Sequence, residues 1–442
     1  MGREVLALRL PSALYAAAAA VFACAVFRAT ASAADDTPSI STPTETVSAM
    51  GEAPTWIREL PGQVLAWLET IQHQPAKPEE PWGLFTFSRD CRVPYSVYAT
   101  SAAWGIAHDC GGIERLPGYT PEAKARMAKF VQGLQDPSTG LFSDPNLEAV
   151  RGRKQGLDRF RAAVTKYAIN LLTYCGAKPL YPYSSGGAGG KFDPVRYLAE
   201  TKQGNWDEPW AIGSHSGYQT LELYRLVNKG HPEYLPALKE GVEFILSKQN
   251  PKTGMWGRAD LPLDQQLGGA LKVIGRFQFG MGLIVPHMDR LADSLIANHR
   301  SRAFYAERYD ATIPRNVAEL AYACSEASDY RKAELLEVLR QTAEELRAYR
   351  QPDGGFAQRR SGTAAVWWND AEAVPASDAP RSDIHGTQAC LYAVRNICEW
   401  TGWTHAPWPR AKPWRQELAE RHPTCLLHVD ESGKVVVERS GQ

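Results

Sequence analysis

The chain has 442 residues, 44% of them hydrophobic, and carries 49 basic against 49 acidic side chains. Such a length holds two or three average domains or one large repeat-built domain, and the balanced charge excludes a global field that would recruit nucleic acid or an anionic membrane. The excess is aromatic, with 13 Trp, 18 Tyr and 13 Phe, enough for a large core and for a cleft that stacks on sugar rings or apolar ligands.

In chain order, the first segment reads as a targeting signal. Arg3 and Arg9 precede the apolar run ALYAAAAAVFACAVF, and Ala31-Ser32-Ala33 supplies a small-x-small cleavage pattern. The expectation is a signal peptide over 1–33, cleaved after Ala33, and a secreted or periplasmic protein. Lipid modification at Cys24 or an uncleaved anchor are the alternatives, the first weakened by the bulk of Phe22. No other stretch is long enough to span a bilayer. Residues 34–53 form a polar Ser/Thr/Pro linker, expected to be disordered. The main domain is assigned to 54–405, with a C-terminal extension over 406–442.

From Trp56 to about Thr401 the apolar spacing is i, i+3, i+4, i+7, as in Phe130-Val131-Leu134 and Leu335-Leu336-Leu339. Twelve helices are predicted, near 55–74, 95–108, 121–135, 158–175, 194–203, 209–229, 232–249, 264–282, 286–300, 313–327, 331–350 and 384–401. Near the C-terminus, LLHVDESGKVVVE places two short apolar runs around Ser432-Gly433, which predicts a terminal β-hairpin. Eight cysteines, seven after cleavage, fit no complete disulfide framework. Cys91 and Cys110 could pair across a helical hairpin; the others read as small buried apolar residues.

Three predicted helices end in related phrases: QDPSTGLF from 135, QNPKTGMW from 249 and QPDGGF from 351, at intervals of 114 and 102 residues. Each has the same physical logic. Pro stops the helix, Gly140, Gly254 or Gly355 takes a positive φ, and Phe142, Trp256 or Phe356 folds back on the helix end. Internal repetition at a near-fixed interval marks a stacked or ring-closed array, so Gln135, Gln249 and these glycines and aromatics are expected to be scaffold. The phrase Q-x-P-x-T-G-x-F/W resembles the Gln/Trp-type turn of the α/α-toroid proteins, which include terpenoid cyclases, protein prenyltransferases and several polysaccharide lyases and glycosidases. The resemblance covers about residues 55 to 405. It implies an all-α fold, an (α/α)6-type toroid of helical hairpins, followed here by the small C-terminal β-hairpin. The chain is also similar to secreted bacterial toroids with PWxxGSH, GGALKV and DIHGT-like phrases, here Pro209–His215, Gly268–Val273 and Asp383–Thr387.

Departures from the better-known toroids narrow the chemistry. The acidic D-x-D-D cluster of polyene cyclisation is missing, as are the Asp-x-Cys arrangement of a prenyltransferase zinc and any Cys-x-x-Cys. GGAGGK at 186–191 is not a phosphate loop, because Ser185 holds the first Gly position and Phe192 replaces Ser/Thr. Ten histidines without H-x-x-x-H or H-E-x-x-H support no metal, and no cofactor is implied.

Three stretches could carry chemistry. In GNWDEPWAIGSHSGYQ, Trp206 and Trp210 bracket Asp207 and Glu208, with His215 and Tyr218 following, a set suited to stacking on a pyranose while an acid or base moves a proton. A helix N-terminus with acidic first-turn residues explains the same letters. In SDIHGTQ, Asp383 and His385 stand at a helix start, where capping alone accounts for Asp383; just upstream, Trp367, Trp368 and Asp370 belong to a long loop. In RYDATIPRN, Tyr309, Asp310 and Arg315 combine the groups that neutralise a uronate and take its proton. The catalytic candidates are His215, Asp310, Asp383 and His385. The substrate-binding candidates are Trp206, Asp207, Glu208, Trp210, Tyr218, Tyr309, Arg315, Trp367, Trp368 and Asp370.

These readings favour an exported carbohydrate-active enzyme, a polysaccharide lyase or glycoside hydrolase, acting on a polysaccharide or oligosaccharide that could be anionic. The alternatives are a non-catalytic toroid that binds glycan or protein and, less favoured, a terpenoid cyclase- or prenyltransferase-like protein. The starts of the sixth, tenth and twelfth predicted helices are all even-numbered, so His215, Asp310, Arg315, Asp383 and His385 are expected to share one rim, where parallel dipoles favour an anion.

Overall fold

The computed structural model describes residues 51–442 apart from 78–79, 117–118, 152–156, 183–191, 308, 362–380 and, beyond 412, 413–415, 418–419, 421–422, 424, 431, 433 and 440–442. The expected signal peptide, most of the linker, the GGAGGK stretch and Trp367, Trp368 and Asp370 lie outside the described residues. Residues 51–53 do belong to the fold: the Ala53 N–H donates to the Thr404 carbonyl at 3.0 Å, and Ala53 is buried.

The helices are α1 (Thr55–Thr70), α2 (Val97–Asp109), α3 (Pro121–Gln132), α4 (Pro145–Arg151), α5 (Leu157–Tyr174), α6 (Pro194–Gln203) and α7 (Pro209–Asn228). They continue with α8 (Leu235–Leu246), α9 (Leu263–Met281), α10 (Met288–Arg300), α11 (Thr312–Ala327), α12 (Lys332–Arg347) and α13 (Ile384–Thr401). All twelve predicted helices are present, with ends within a few residues of expectation. The additional one, α4, spans 7 residues, too few for apolar periodicity to declare itself. It is fixed by its start: Asp144 accepts the Leu147 N–H at 3.2 Å, and its other oxygen accepts the Val97 N–H at 2.7 Å, which ties α4 to the first turn of α2.

The C-terminal strands β1 (Cys425–Val429) and β2 (Val435–Arg439) pair antiparallel, with Asp430 accepting the Ser432 and Lys434 N–H groups in the turn, both at 2.9 Å. The hairpin docks on the helices through Tyr224 Oη, which donates to the Cys425 carbonyl, and through the Val435 N–H, which donates to Glu243. Cys91 and Cys110 are not joined in a disulfide, and no disulfide joins any two of the described cysteines. No helix among the described residues is long and apolar enough to cross a membrane.

The recurring phrase is built as follows. Where α3 and α8 end, Gln135 bridges to Phe142 and Gln249 to Trp256 as isolated β-bridges. Gly140 and Gly254 take φ of 69° and 68°. The buried Gln135 amide donates to the Gly140 and Tyr181 carbonyls, each at 2.9 Å, and its oxygen accepts the Leu180 and Tyr181 N–H groups. Gln249 donates likewise to Gly254 and Pro286. The third phrase departs from expectation: the bridge joins Arg350 to Phe356, the positive φ falls on Gly354 (103°) rather than Gly355, and Gln351 donates only to the nearby Tyr349 carbonyl. Deleting two residues from the turn shifts its pairing by one. A fourth relative, Gln72 bridged to Phe85 after α1, is hidden in the sequence by a longer insert.

A further recurrence joins three of these four turns to a helix later in the chain. The backbone N–H groups of Phe85, Phe142 and Phe356 donate to the hydroxyls of Thr100 on α2, Thr165 on α5 and Thr387 on α13, at 3.0, 2.8 and 3.0 Å. All three threonines are fully buried.

Helices α2, α5, α7, α9, α11 and α13 are neighbours in the order α5–α2–α13–α11–α9–α7. Tyr98 meets His385 and Asp109 meets Arg395, so α2 and α13 run parallel. Arg315 meets Tyr392 and Tyr322 meets Trp400, so α11 and α13 do too. On α7, Gly213 and Gly217 lie against Lys272 and its carbonyl on α9, while Gly268 leaves room for the indole of Trp210. The PWxxGSH and GGALKV phrases are therefore two halves of one close helix contact.

Gly254 has the Leu291 N and His287 O within 2.4 and 2.6 Å of a hypothetical Cβ, whereas nothing lies within 4 Å of one at Gly275 on α9. Gly254→Ala should cost roughly 2–4 kcal/mol, from positive-φ strain plus overpacking. Gly275→Ala should be neutral or gain up to about 1 kcal/mol, because Ala is the better helix former. Denaturant unfolding of both variants checks the pair; equal destabilisation would refute the account.

Candidate functional site

The start of α13 is tied to the start of α11 through one residue of the intervening chain, Gln358. Asp383 caps α13 by accepting the Gly386 N–H at 2.6 Å, and its other oxygen accepts the Gln358 N–H at 2.9 Å. The Gln358 side-chain amide donates to Asp310 at 3.1 Å, and the Gln358 carbonyl accepts the Ala311 N–H at 2.9 Å. Asp310 also accepts the Thr312 N–H at 2.9 Å. Gly386 is required here, since a Cβ would fall 2.2 Å from the Ala357 carbonyl carbon. The two carboxyls thus meet as the sequence suggested, but inside the protein. Burial pushes Asp383 up to about 7 against three N–H groups that pull the other way, and burial raises Asp310.

His385 is buried and shares a hydrogen bond of 3.0 Å between its Nδ1 and Tyr98 Oη. Burial first, then the charge of Arg315, pushes its pKa down to about 3, so the ring stays neutral across the ordinary pH range. Arg315 is engaged within the helix layer: Nε donates to Glu319 at 2.7 Å, and the guanidinium lies 4.6 Å from the centre of the Tyr392 ring. A second guanidinium, Arg395, lies 5.6 Å from that ring and pairs with Asp109 and Glu399. Phe279, Tyr322 and Trp400 stack in a row across α9, α11 and α13, with centroids 5.8 and 4.1 Å apart.

The α5–α7–α9 side repeats this chemistry with a different balance. The half-buried Tyr218 ring has Lys166 Nζ 5.5 Å and the Arg276 guanidinium 5.4 Å from its centre. Lys166 is exposed, yet its ammonium is held below the usual range by burial and then by Arg276, the combination expected at the floor of a concavity. One turn before Tyr218, His215 Nε2 meets Glu200 of α6 at 3.0 Å, leaving Nδ1 on the half-exposed side of the ring. Arg196 first, then His215 and Gln219, hold Glu200 down at about 2.

The expectation that five residues share one site is therefore corrected. Among the described contacts they divide into the Asp310–Gln358–Asp383 knot, the His385–Tyr98 pair with Arg315 beneath it, and a separate His215–Glu200 pair. The remaining candidates are largely scaffold. Trp206 donates to the Thr201 carbonyl and packs edge-on against Phe244, and Trp210 is buried over Gly268. Asp207 makes an exposed ion pair with Arg258 at 3.3 Å, and Glu208 precedes α7 and accepts from Asn205. Tyr309 is buried, with its carbonyl accepting from Tyr349 Oη.

Sequence reasoning missed Lys166, Arg276, Glu319, Tyr392, Arg395 and Glu399. For the last four the signal was present as polar stripes on otherwise apolar helices: Arg315, Glu319, Tyr322 and Glu326 on α11, and Gln388, Tyr392, Arg395 and Glu399 on α13, each at i, i+4, i+7 and i+11. No group of three metal-ligating side chains occurs among the described residues. The chain matches no family model, no curated protein and no solved structure.

Two titrations of opposite sign follow from the buried groups. Native His385 stays neutral to about 3, whereas an unfolded His protonates below about 6.5. That residue makes the fold lose stability as pH falls from 6.5 toward 3. Native Asp383 keeps its proton to about 7, whereas unfolded Asp releases it near about 3.9. It makes the fold lose stability as pH rises through that window. Relative to the parent protein, His385→Phe should therefore fare better at pH about 4.5 than at pH about 7.5, and Asp383→Asn the reverse. Melting curves at both pH values check this; differences of equal sign would contradict it.

Proposed function

We propose that the six parallel-running inner helices α2, α5, α7, α9, α11 and α13 close into a ring, with α1, α3, α6, α8, α10 and α12 outside. This is the (α/α)6 toroid that the recurring turn resembles, with the polar stripes lining its funnel. Support for closure comes from the return of α13 onto α2, and for the contact between α5 and α7 from Lys166 over Tyr218. On this reading the protein is an exported carbohydrate-active enzyme that cleaves an acidic polysaccharide by elimination at a uronate.

The observation that carries it is the partly exposed Tyr218 phenol with two cations at its ring. Elimination requires the uronate carboxylate to be neutralised, so that the proton on the adjacent carbon becomes acidic. Arg276 and Lys166 supply that charge. Tyr218 or His215 takes the proton, the C–O bond to the leaving sugar breaks as the ring C=C bond forms, and the other group returns a proton to the departing oxygen. Glu200 keeps His215 Nε2 protonated, so that Nδ1 is the working nitrogen. Asp310, Asp383 and His385 hold the helix starts in place and do not touch substrate.

Acidic and neutral polysaccharides incubated with purified protein, read by unsaturated-uronate absorbance and by reducing ends, test the reading. Only acidic polymers should yield the chromophore. Tyr218→Phe should lower turnover by about 100-fold or more, with ligand affinity little changed. Lys166→Met should weaken binding about tenfold, or about 1.4 kcal/mol, without lowering Tm. Binding without cleavage would make the protein a glycan-binding toroid, and no affinity for any acidic polymer would overturn the reading altogether.

A further inference from the structure

Between α1 and the end of α12, on the outer side of the helices, lies a groove of about 590 Å³ lined by Gln63, Ala66, Arg347, Arg350, Asp353 and Gly354, among others. We infer that this groove is a second, separate binding site, built around Arg350 for a carboxylate or phosphate group.

The Arg350 side chain is half-buried and, among the described residues, forms no hydrogen bond or ion pair. A guanidinium is charged at all accessible pH and carries five N–H donors, and part-burial without acceptors is costly. The acidic groups nearby do not supply them. Glu59 is close enough to be felt, but its carboxylate accepts from Gln63 at 3.2 Å. The Asp353 carboxylate is held by the Ser382 hydroxyl and N–H. Arg347 adds a second cation to the same wall and reaches only Glu344, at 3.8 Å. Burial holds Arg350 below its usual range, Glu59 opposes this, and Arg347 adds to it, so the charge of the groove is left undercompensated.

Placement of a basic residue at a helix C-terminus suits the helix dipole and is reason enough for Arg347, the last residue of α12. Arg350 lies beyond the helix, in the turn, where that reason lapses. The turn also fixes the groove wall, because Gly354 packs against the Gln63 carbonyl, 2.9 Å from where its Cβ would stand. The groove contains no aromatic ring among its lining residues, so it recognises charge rather than a stacked sugar face. The planar fork of Arg350, with Arg347 beside it, matches a group presenting two or more oxygens.

Calorimetry and thermal shift with inorganic phosphate and with citrate, each at fixed ionic strength against chloride, test the inference. The parent protein should bind at least one of these anions, and the order of affinity identifies which source the groove serves. Arg350→Gln should weaken binding about tenfold or more, and Arg347→Gln by less. Arg350→Lys, which keeps the charge and loses the fork, should fall between and guards against a folding defect in the glutamine variant. Lys166→Met should leave the effect unchanged. No anion-specific response beyond chloride, or an unaltered response in Arg350→Gln, overturns the inference. Loss of binding in Lys166→Met but not in Arg350→Gln assigns the anion to the funnel instead, which overturns the groove and leaves the proposed function standing.

Discussion

Every helix end leaves carbonyls and N–H groups without partners, and a chain with thirteen α-helices among its described residues meets that problem throughout. The buried amides of Gln135 and Gln249 meet it twice in the same way. Each side chain reaches the carbonyl of its own turn glycine and a carbonyl of the next connection, 46 and 37 residues on. One amide thereby holds a helix end, a turn and a distant segment in fixed relation. The buried threonines at Phe85, Phe142 and Phe356 then fasten their turns to a helix later in the chain. An amide or hydroxyl removed from these points would strand buried polar groups at a cost of about 1–3 kcal/mol each.

Once the turns are fixed, helices α7 and α9 can approach closely, and how closely is set by side-chain size. Along α7, Gly213 and Gly217 bring the backbone against α9, and Gly268 and Gly269 receive Trp210, Pro209 and Trp256 in return. Charged residues on such tightly packed helices have only the remaining face to occupy. On α11 and α13 that face carries Arg–Glu pairs, Arg315 with Glu319 and Arg395 with Glu399, which lower the cost of holding charge away from bulk water. Around Tyr218 two cations instead share one phenol ring. That difference in balance is why the proposed anionic ligand is assigned to the α5–α7–α9 side.

The candidate residues were legible to different degrees, for a physical reason in each case. Asp310 and Asp383 drew notice as carboxylates at helix starts, and the structure does bring them together. Their role is to accept N–H groups in the interior, which from the letters alone looks the same as acid–base chemistry. The Trp-rich run before α7 looked like a sugar platform because aromatics and carboxylates alternate there. Trp206 and Trp210 are instead turned inward by the nearby Thr201 and by Phe244 and Gly268, which lie dozens of residues on. Lys166 and Arg276 seemed unremarkable because each is one of several basic residues on its helix, with Arg159 and Arg161 on α5 and Lys272 on α9. Only the packing of α5, α7 and α9 sets them over one ring.

By itself the sequence determined what depends on near neighbours: the helices, from apolar spacing; their stops, from Pro and Gly; the terminal hairpin, from two short apolar runs; and the recurrence of the turn. These are governed by local backbone sterics and by the 3.6-residue period, and both can be read along the chain. It did not determine α4, whose existence rests on an Asp144 cap shared with α2, or the one-residue shift at Gly354. Tertiary structure alone decided which polar groups are buried scaffold and which are reached by solvent. His385 and His215 are the clearest case, both histidines early in a long helix. One is enclosed against Tyr98, and the other is half-exposed beside Glu200. Burial and charge pairing come from how separate elements pack, whether 287 residues apart as for Tyr98 and His385 or 15 as for Glu200 and His215, and no local pattern in the sequence carries that information.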